Sequence, residues 1–437
     1  MQSIDTLLSA RWIIPVEPDS CILSNHALAI QQGHVRELLP KAQAEAKYRP
    51  IHRLDLPHHA LIPGLVNAHT HAAMNLLRGL ADDLPLMEWL NQHIWPAENR
   101  WVSEKFVYDG TLSALTEMLR GGITCFNDMY FFPEVTAAAV RQCGMRACVG
   151  LIVIDFPSTW AKSTEEYLNK GLALQTELAD DPLLSTAFAP HSPYAVSDAT
   201  LSKIATLAAE RQIPIHIHVH ETAVEVEQSN QQRGCRPLQR LKDLGLVSSR
   251  LLAVHMTQVE PDEIALLANA GAHVVHCPES NMKLASGFCP LARLEDAGIN
   301  VALGSDGAAS NNDLNLFSEM RSAALLGKAV AGNAAALPAH RILRMATLNG
   351  ARALGLEGEI GSLEPGKWAD IAAVDLGTLE AEPVYNPISQ LVYATSRQQV
   401  TDVWIAGRQL LKDRTLTTLD SDAILRQVQA WQRTIAA

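Results

Sequence analysis

Eight apolar runs of strand length, each followed by a helix-like stretch, constrain this chain more than any other feature. They are Leu61–Ala68, Ile123–Asp128, Arg146–Ile152, Leu184–Ala189, Ile213–His220, Leu251–His255, Ala272–His276 and Val301–Gly304. Continuous apolar strands suit a parallel sheet covered on both faces. Eight β-then-α units in succession predict an α/β fold of the (β/α)8 barrel type. A doubly wound open sheet is the competing architecture, but no Gly-x-Gly-x-x-Gly follows the first run. The intervening helices are legible too. Phe106–Leu119 places Tyr108, Leu112, Leu115 and Leu119 at helical spacing before Gly121-Gly122. Ser197–Arg211 opens on a capping serine and ends before Pro214.

The flanks have a different texture. Leu7–Pro15 and Ala27–Val35 carry β-formers, with a hairpin turn expected at Gln31-Gln32-Gly33-His34. After Gly355, glycine-punctuated strands return in GEIGSLEPGKWADIAAVDL and VTDVWIAGRQLLKD, and a last helix is expected over Ser421–Thr434. Strand-rich ends around a barrel predict a small β-sandwich domain built from both termini. Its parts are residues 1–60 and 356–437, around a barrel of 61–355.

The chemistry collects where strands end, which is where (β/α)8 enzymes build their sites. His69 and His71 close the first run, and residues two apart on a strand point the same way. His-x-His by itself also fits a surface pair or core histidines. In the fifth run His216, His218 and His220 alternate and share a face, followed by Glu221. Unpaired imidazoles are costly in an apolar strand. His255 ends the sixth run and Asp306 follows the eighth. Two or three histidines with one carboxylate make a site for a divalent first-row metal, zinc by default.

Composition narrows the partners. Lys and Arg number 35 against 47 Asp and Glu, a net charge of -12, which argues against nucleic acid and anionic membranes. No run is long and apolar enough to span a bilayer, and the start has no signal-peptide pattern. Seven scattered cysteines, never in Cys-x-x-Cys, fit free thiols in a reducing compartment. A cytoplasmic protein is expected.

PGLVNAHTH, the His218-x-x-Glu221 pair, His255, HCPESNMKLASG, GSDGAASNNDLN and the terminal GSLEPGKWADIAAVD together resemble the amidohydrolase superfamily. They are most similar to its single-metal aminohydrolases of the 5-methylthioadenosine/S-adenosylhomocysteine deaminase type. That resemblance implies one divalent ion, Zn2+, on His69, His71, His218 and Asp306. It implies Glu221 as proton shuttle, His255 as the group orienting the attacking water, and Asp306 as a proton acceptor. Glu98 in WPAENR and His191 in APHSPY match substrate contacts, beside Glu221 and Asp306. A small-molecule nucleoside substrate and a homo-oligomer follow from the same likeness. His216 and His220 receive no role beyond support.

One departure bears on the substrate. Relatives that accept S-adenosylhomocysteine carry an arginine near the end of strand three. Here Arg146 opens that strand and apolar residues end it, with Lys162 the nearest substitute. Methylthioadenosine or adenosine is therefore favoured. Three alternatives stay open: an aminohydrolase for a free base or triazine such as guanine, a cyclic-amide hydrolase, and a non-catalytic metal-binding barrel. FAPHSPY lacks the lysine that usually bridges two metals in the second.

Overall fold

The protein is described here as a computed structural model covering residues 1–436. Its strands are β1 (Gln2–Ile13), β2 (Leu23–Gln31), β3 (His34–Pro40), β4 (Tyr48–Pro63), β5 (Leu65–Thr70), β6 (Ile123–Asp128), β7 (Arg146–Val153) and β8 (Leu184–Pro190). There follow β9 (Ile215–Val219), β10 (Leu251–His255), β11 (His273–His276), β12 (Asn300–Leu303), β13 (Ile371–Asp375), β14 (Val400–Ile405), β15 (Arg408–Lys412) and β16 (Thr415–Leu416). β5 to β12 form one sheet in sequence order, with every pairing parallel. These are the eight runs read from the sequence. The remaining eight strands, from both ends of the chain, form a second sheet in the order β16-β15-β14-β13-β4-β1-β2-β3. That sheet curls, so that the β2–β3 hairpin meets residues 366–369 through the His34–Trp368 bridge.

The barrel closes where β12 returns to β5. Asn67 donates through Nδ2 to Ser305 Oγ at 2.7 Å and accepts from the Ser305 N–H at 2.9 Å. The Asp306 N–H donates to the His69 carbonyl at 3.0 Å. Gly304 makes this approach possible, since a Cβ there would lie 2.8 Å from His69 Cβ. The first expected strand needs a correction. Leu61–Pro63 end β4 of the outer sheet, and the barrel strand begins only at Leu65. Gly64 divides them: it lies against Thr124, whose Oγ1 would be 2.0 Å from an added Cβ. The apolar run is continuous because both halves are buried, in different sheets.

The helices keep their expected places to within two residues at each end. Glu104–Arg120 is capped by Ser103 Oγ, which accepts from the Phe106 N–H, and closes at Gly121. Asp198–Arg211 is capped by Ser197. The last helix, Ser421–Ala436, lays Trp431 edge-on against Phe106, and its indole N–H donates to Asp109 Oδ2 at 2.8 Å. Residues 86–101 received no element from the sequence. They form three short helical turns, one of them π-type at Leu90–Ile94, and bury Trp89, Leu90 and Ile94 over one end of the barrel.

Arg146 has a structural task far from the strand ends that build the site. It pairs with Asp370, both almost fully buried, with Nε to Oδ2 at 3.0 Å, and donates Nη1 to the Pro182 carbonyl at 2.9 Å. The pair ties β7 to the residue that precedes β13. Removing one partner of a buried ion pair strands the other charge. Arg146→Met should therefore lower unfolding free energy by about 3–5 kcal/mol. Denaturant titration would measure that loss, and the folded fraction should keep its catalytic constants.

Candidate active site

Three strand ends deliver the central cluster. One ligand atom from each of His69, His71, His218 and Asp306 lies within 4.8 Å of the others. Asp306 Oδ1 sits 3.1 Å from His69 Nε2 and 3.2 Å from His71 Nε2, and His218 Nε2 is 3.2 Å from His69 Nε2. The opposite nitrogens are anchored. His71 Nδ1 donates to the Met129 carbonyl at 2.6 Å, and His218 Nδ1 to the His191 carbonyl at 2.7 Å. A proton held at Nδ1 leaves Nε2 free as a lone-pair donor, the arrangement a metal needs. His69 Nδ1 faces His216 Nε2 at 2.8 Å, so His216 orients His69 from behind. Asp306 Oδ2 accepts from Ser280 Oγ at 2.7 Å and Ser310 Oγ at 2.8 Å, which leaves Oδ1 toward the histidines. His220 turns away from this cluster, its Nε2 accepting from the Leu238 N–H at 3.1 Å.

The electrostatics follow from burial. Burial lowers the His69 imidazole to about 4, and lowers His218 as well. Burial also opposes charge on His71, but Asp306 outweighs it and raises that ring to about 9. Asp306 is held well below its usual range. Burial pushes it up, and hydrogen bonds from His69 and His71 overcome that push. The cluster is thus an anionic carboxylate among neutral His69 and His218 rings and a His71 ring whose Nε2 proton, held by Asp306, a divalent cation would displace, a donor set that fits such a cation.

Glu221 and His255 complete the floor of the cavity. Burial raises the Glu221 carboxyl above the usual carboxylate range. Its Oε2 lies 3.9 Å from His255 Nε2. The chain reaches this geometry through left-handed backbone at His220 (φ 54°), His255 (φ 75°) and Asp306 (φ 60°). Such conformations are uncommon outside glycine and cost about 1–3 kcal/mol each. They lie at three strand exits, where Glu221, His255 and Asp306 reach one space while His220 itself turns away.

That space is a cavity of about 230 Å³. His71, His218, Asp306, Glu221, His255, His191 and Glu98 all line it, while His69 lies buried behind. Glu98 is half-buried on the Trp95–Trp101 turn, and burial raises its carboxyl to about 7. Burial, then the neighbouring His71 and His69, lower His191 to about 3, so it is a neutral ring. The walls are apolar: Trp89, Leu90, Met129, Ile152, Ile154 and Phe156. Of the apolar residues that end β7, Leu151 and Val153 face the opposite way, as strand alternation requires. No lysine or arginine lines the cavity among the described residues. Lys162 lies outside it, exposed, with its ammonium on the Ser158 carbonyl at 2.6 Å. Sequence reasoning missed Tyr130, Ser280, Asn281 and Ser310 at this site. The last three stand in motifs it had quoted without assigning their side chains.

Known proteins share this arrangement over the full chain. The Amidohydrolase family model matches residues 60–410. A 5-methylthioadenosine/S-adenosylhomocysteine deaminase of Teredinibacter turnerae is 51% identical over 435 residues, covering 100% of this chain and 98% of that protein. A crystal structure of an adenosine deaminase from Xanthomonas campestris with bound zinc is 52% identical, with a TM-score of 0.99 over 100% of this chain and 99% of that one. An atrazine chlorohydrolase from Arthrobacter aurescens shares the fold at 22% identity, with a TM-score of 0.89 over 98% and 99% of the two chains. With the barrel, the strand-end histidines and the family match in agreement, this chain belongs to the amidohydrolase family.

Proposed function

We propose that this chain hydrolytically deaminates an adenine nucleoside, 5′-methylthioadenosine above all, to the inosine-type product and ammonia. One observation carries the reading: a cluster of four ligand atoms, a glutamate and a histidine meet at the floor of a single cavity. The full-length likeness to 5-methylthioadenosine/S-adenosylhomocysteine deaminases supports it.

His69, His71, His218 and Asp306 hold one divalent ion, zinc in this reading. When bound, the ion supplies Lewis acidity and lowers the pKa of water toward neutrality. Asp306 takes a proton from the attacking water, and Ser280 and Ser310 keep its second oxygen occupied. His255 Nε2 orients the attacking oxygen. Glu221 carries a proton to the purine nitrogen beside the amino-bearing carbon, which makes that carbon electrophilic. The water oxygen bonds to that carbon, the proton held by Asp306 passes to the amino group, the new hydroxyl returns its proton to Glu221 as the C=O forms, and the C–N bond breaks to release ammonia. Glu98 and His191 contact the nucleoside. We also infer two domains, divided as read from the sequence except that Leu61–Pro63 go with the terminal sheet, a homo-oligomer, and a cytoplasmic location for a chain whose seven cysteines are free. No helix of the described residues is long and apolar enough to cross a membrane.

Metal content is the first measurement. Elemental analysis should give close to one zinc per chain in the parent and almost none after His69→Ala with His71→Ala. A stoichiometry near two would end the single-ion reading. Glu221→Gln isolates proton transfer, because glutamine keeps the shape and loses the acid. It should retain zinc and lose roughly 10²–10⁴ in kcat. A variant within about tenfold of the parent, a difference of only ~1.4 kcal/mol, would remove Glu221 from the shuttle role.

Substrate choice follows from the cavity wall. Ile152, Ile154 and Phe156 reward a methylthio group at roughly 25 cal/mol per Å² buried. An amino-acid tail finds no cation there and must keep its hydration. Methylthioadenosine should exceed S-adenosylhomocysteine in kcat/KM by roughly ten- to 200-fold. Adenosine should rank below methylthioadenosine, since its hydroxyl gains nothing from that wall. Steady-state kinetics on these three and guanine decides. Parity or better for S-adenosylhomocysteine would reveal a cation reaching in, and Lys162→Met would be measured next.

A further inference from the structure

HCPESNMK resembles its family as a block, yet of its side chains only Ser280 has a role in the chemistry described so far. The segment forms the short helix Pro278–Lys283 beside the cavity floor. Two consecutive residues of it touch two different reacting groups. Ser280 Oγ donates to Asp306 Oδ2, and Asn281 Oδ1 lies 2.8 Å from His255 Nδ1. The His255 ring is stacked on His218 with a centroid separation of 5.4 Å, and its Nε2 faces Glu221.

We propose that Asn281 is a positioning residue for His255, holding the proton at Nδ1 so that every hydrogen bond to the reacting oxygen is made at Nε2. An amide oxygen can only accept, so the ring nitrogen facing it must carry a proton. The second nitrogen is then the one presented to the cavity, whether as acceptor for the attacking water or as donor once protonated. The left-handed backbone at His255 aims the ring, and Asn281 sets its face. The arrangement costs stability. Asn281 is buried, and its Nδ2 has no hydrogen-bond partner among the described residues. A buried donor left unpaired costs about 1–3 kcal/mol. An apolar side chain would serve the fold better, so the gain must come from Oδ1.

This role rests on the deaminase reading, and the test separates the two. Nitrogen spectra of the zinc-loaded chain labelled in histidine, with the His255 signals assigned through His255→Gln, report which ring nitrogen is protonated without turnover. A protonated Nδ1 in the parent is expected, with Asn281→Ala losing that preference and Asn281→Asp keeping it. In kinetics, Asn281→Ala should lose roughly 10- to 100-fold in kcat, with KM within about threefold of the parent and zinc content unchanged. Asn281→Asp, which restores an acceptor, should recover most of the rate. An unprotonated Nδ1 in the parent, or an Asn281→Ala kcat within about threefold of it, overturns the proposal. So does a kcat loss that Asn281→Asp fails to recover. If Asn281→Ala does not fold, Asn281→Leu, which keeps the volume, takes its place and is judged by the same outcomes. A parent that deaminates no adenine nucleoside would refute the deaminase reading, while the spectra would still decide on Asn281.

Discussion

The seam between β5 and β12 is the contact on which the site depends. Asn67 and Ser305 exchange two hydrogen bonds there, and the Asp306 N–H reaches the His69 carbonyl. The same contact that shuts the barrel brings a histidine from its first strand beside a carboxylate that follows its last. Only glycine fits at position 304, because the two chains approach within the width of a Cβ. Fold closure and assembly of the metal-ligand cluster are one event.

Around that seam, few groups are left to choose their own orientation. Each imidazole of the cluster has its far nitrogen on a neighbour: Met129 for His71, the His191 carbonyl for His218, His216 for His69. Asp306 is pinned through one oxygen by two serines. Ordering several side chains at once is entropically expensive, and here the neighbouring carbonyls, His216 and two serines supply that ordering. The strained backbone at His220, His255 and Asp306 is the second cost. A well-packed barrel can carry such strain because its surrounding pairings over-determine each strand end.

The cavity divides its labour between a polar floor and apolar walls. The floor comes from the strand ends. Much of the wall comes from residues 86–101 and from alternate positions at the end of β7, where Ile152 and Ile154 face inward while Leu151 and Val153 join the core. Reaction type and substrate preference are therefore written on different elements, so the wall can vary without disturbing the floor.

The sequence by itself determined the barrel, since eight buried parallel strands leave eight apolar runs that no surface-exposed sheet would carry. It also marked His69, His71, the row His216, His218 and His220, His255 and Asp306, because titratable side chains at the ends of apolar strands are costly without a task, while the choice of His218 and Glu221 came from the family resemblance. It could not separate Leu61–Pro63 from β5. Burial in either sheet asks for the same apolar residues, and only Gly64 packing on Thr124 divides them. It left His216 and His220 undistinguished, although one supports His69 and the other a helix start. Alternation assigns a face, while the partner behind that face lies more than a hundred residues away for His216. The turns at 86–101, the pairing of Arg146 with Asp370 and the contact of Asn281 with His255 were likewise decided by tertiary structure alone. Each joins segments remote in sequence, and no local pattern records which distant group a side chain will meet.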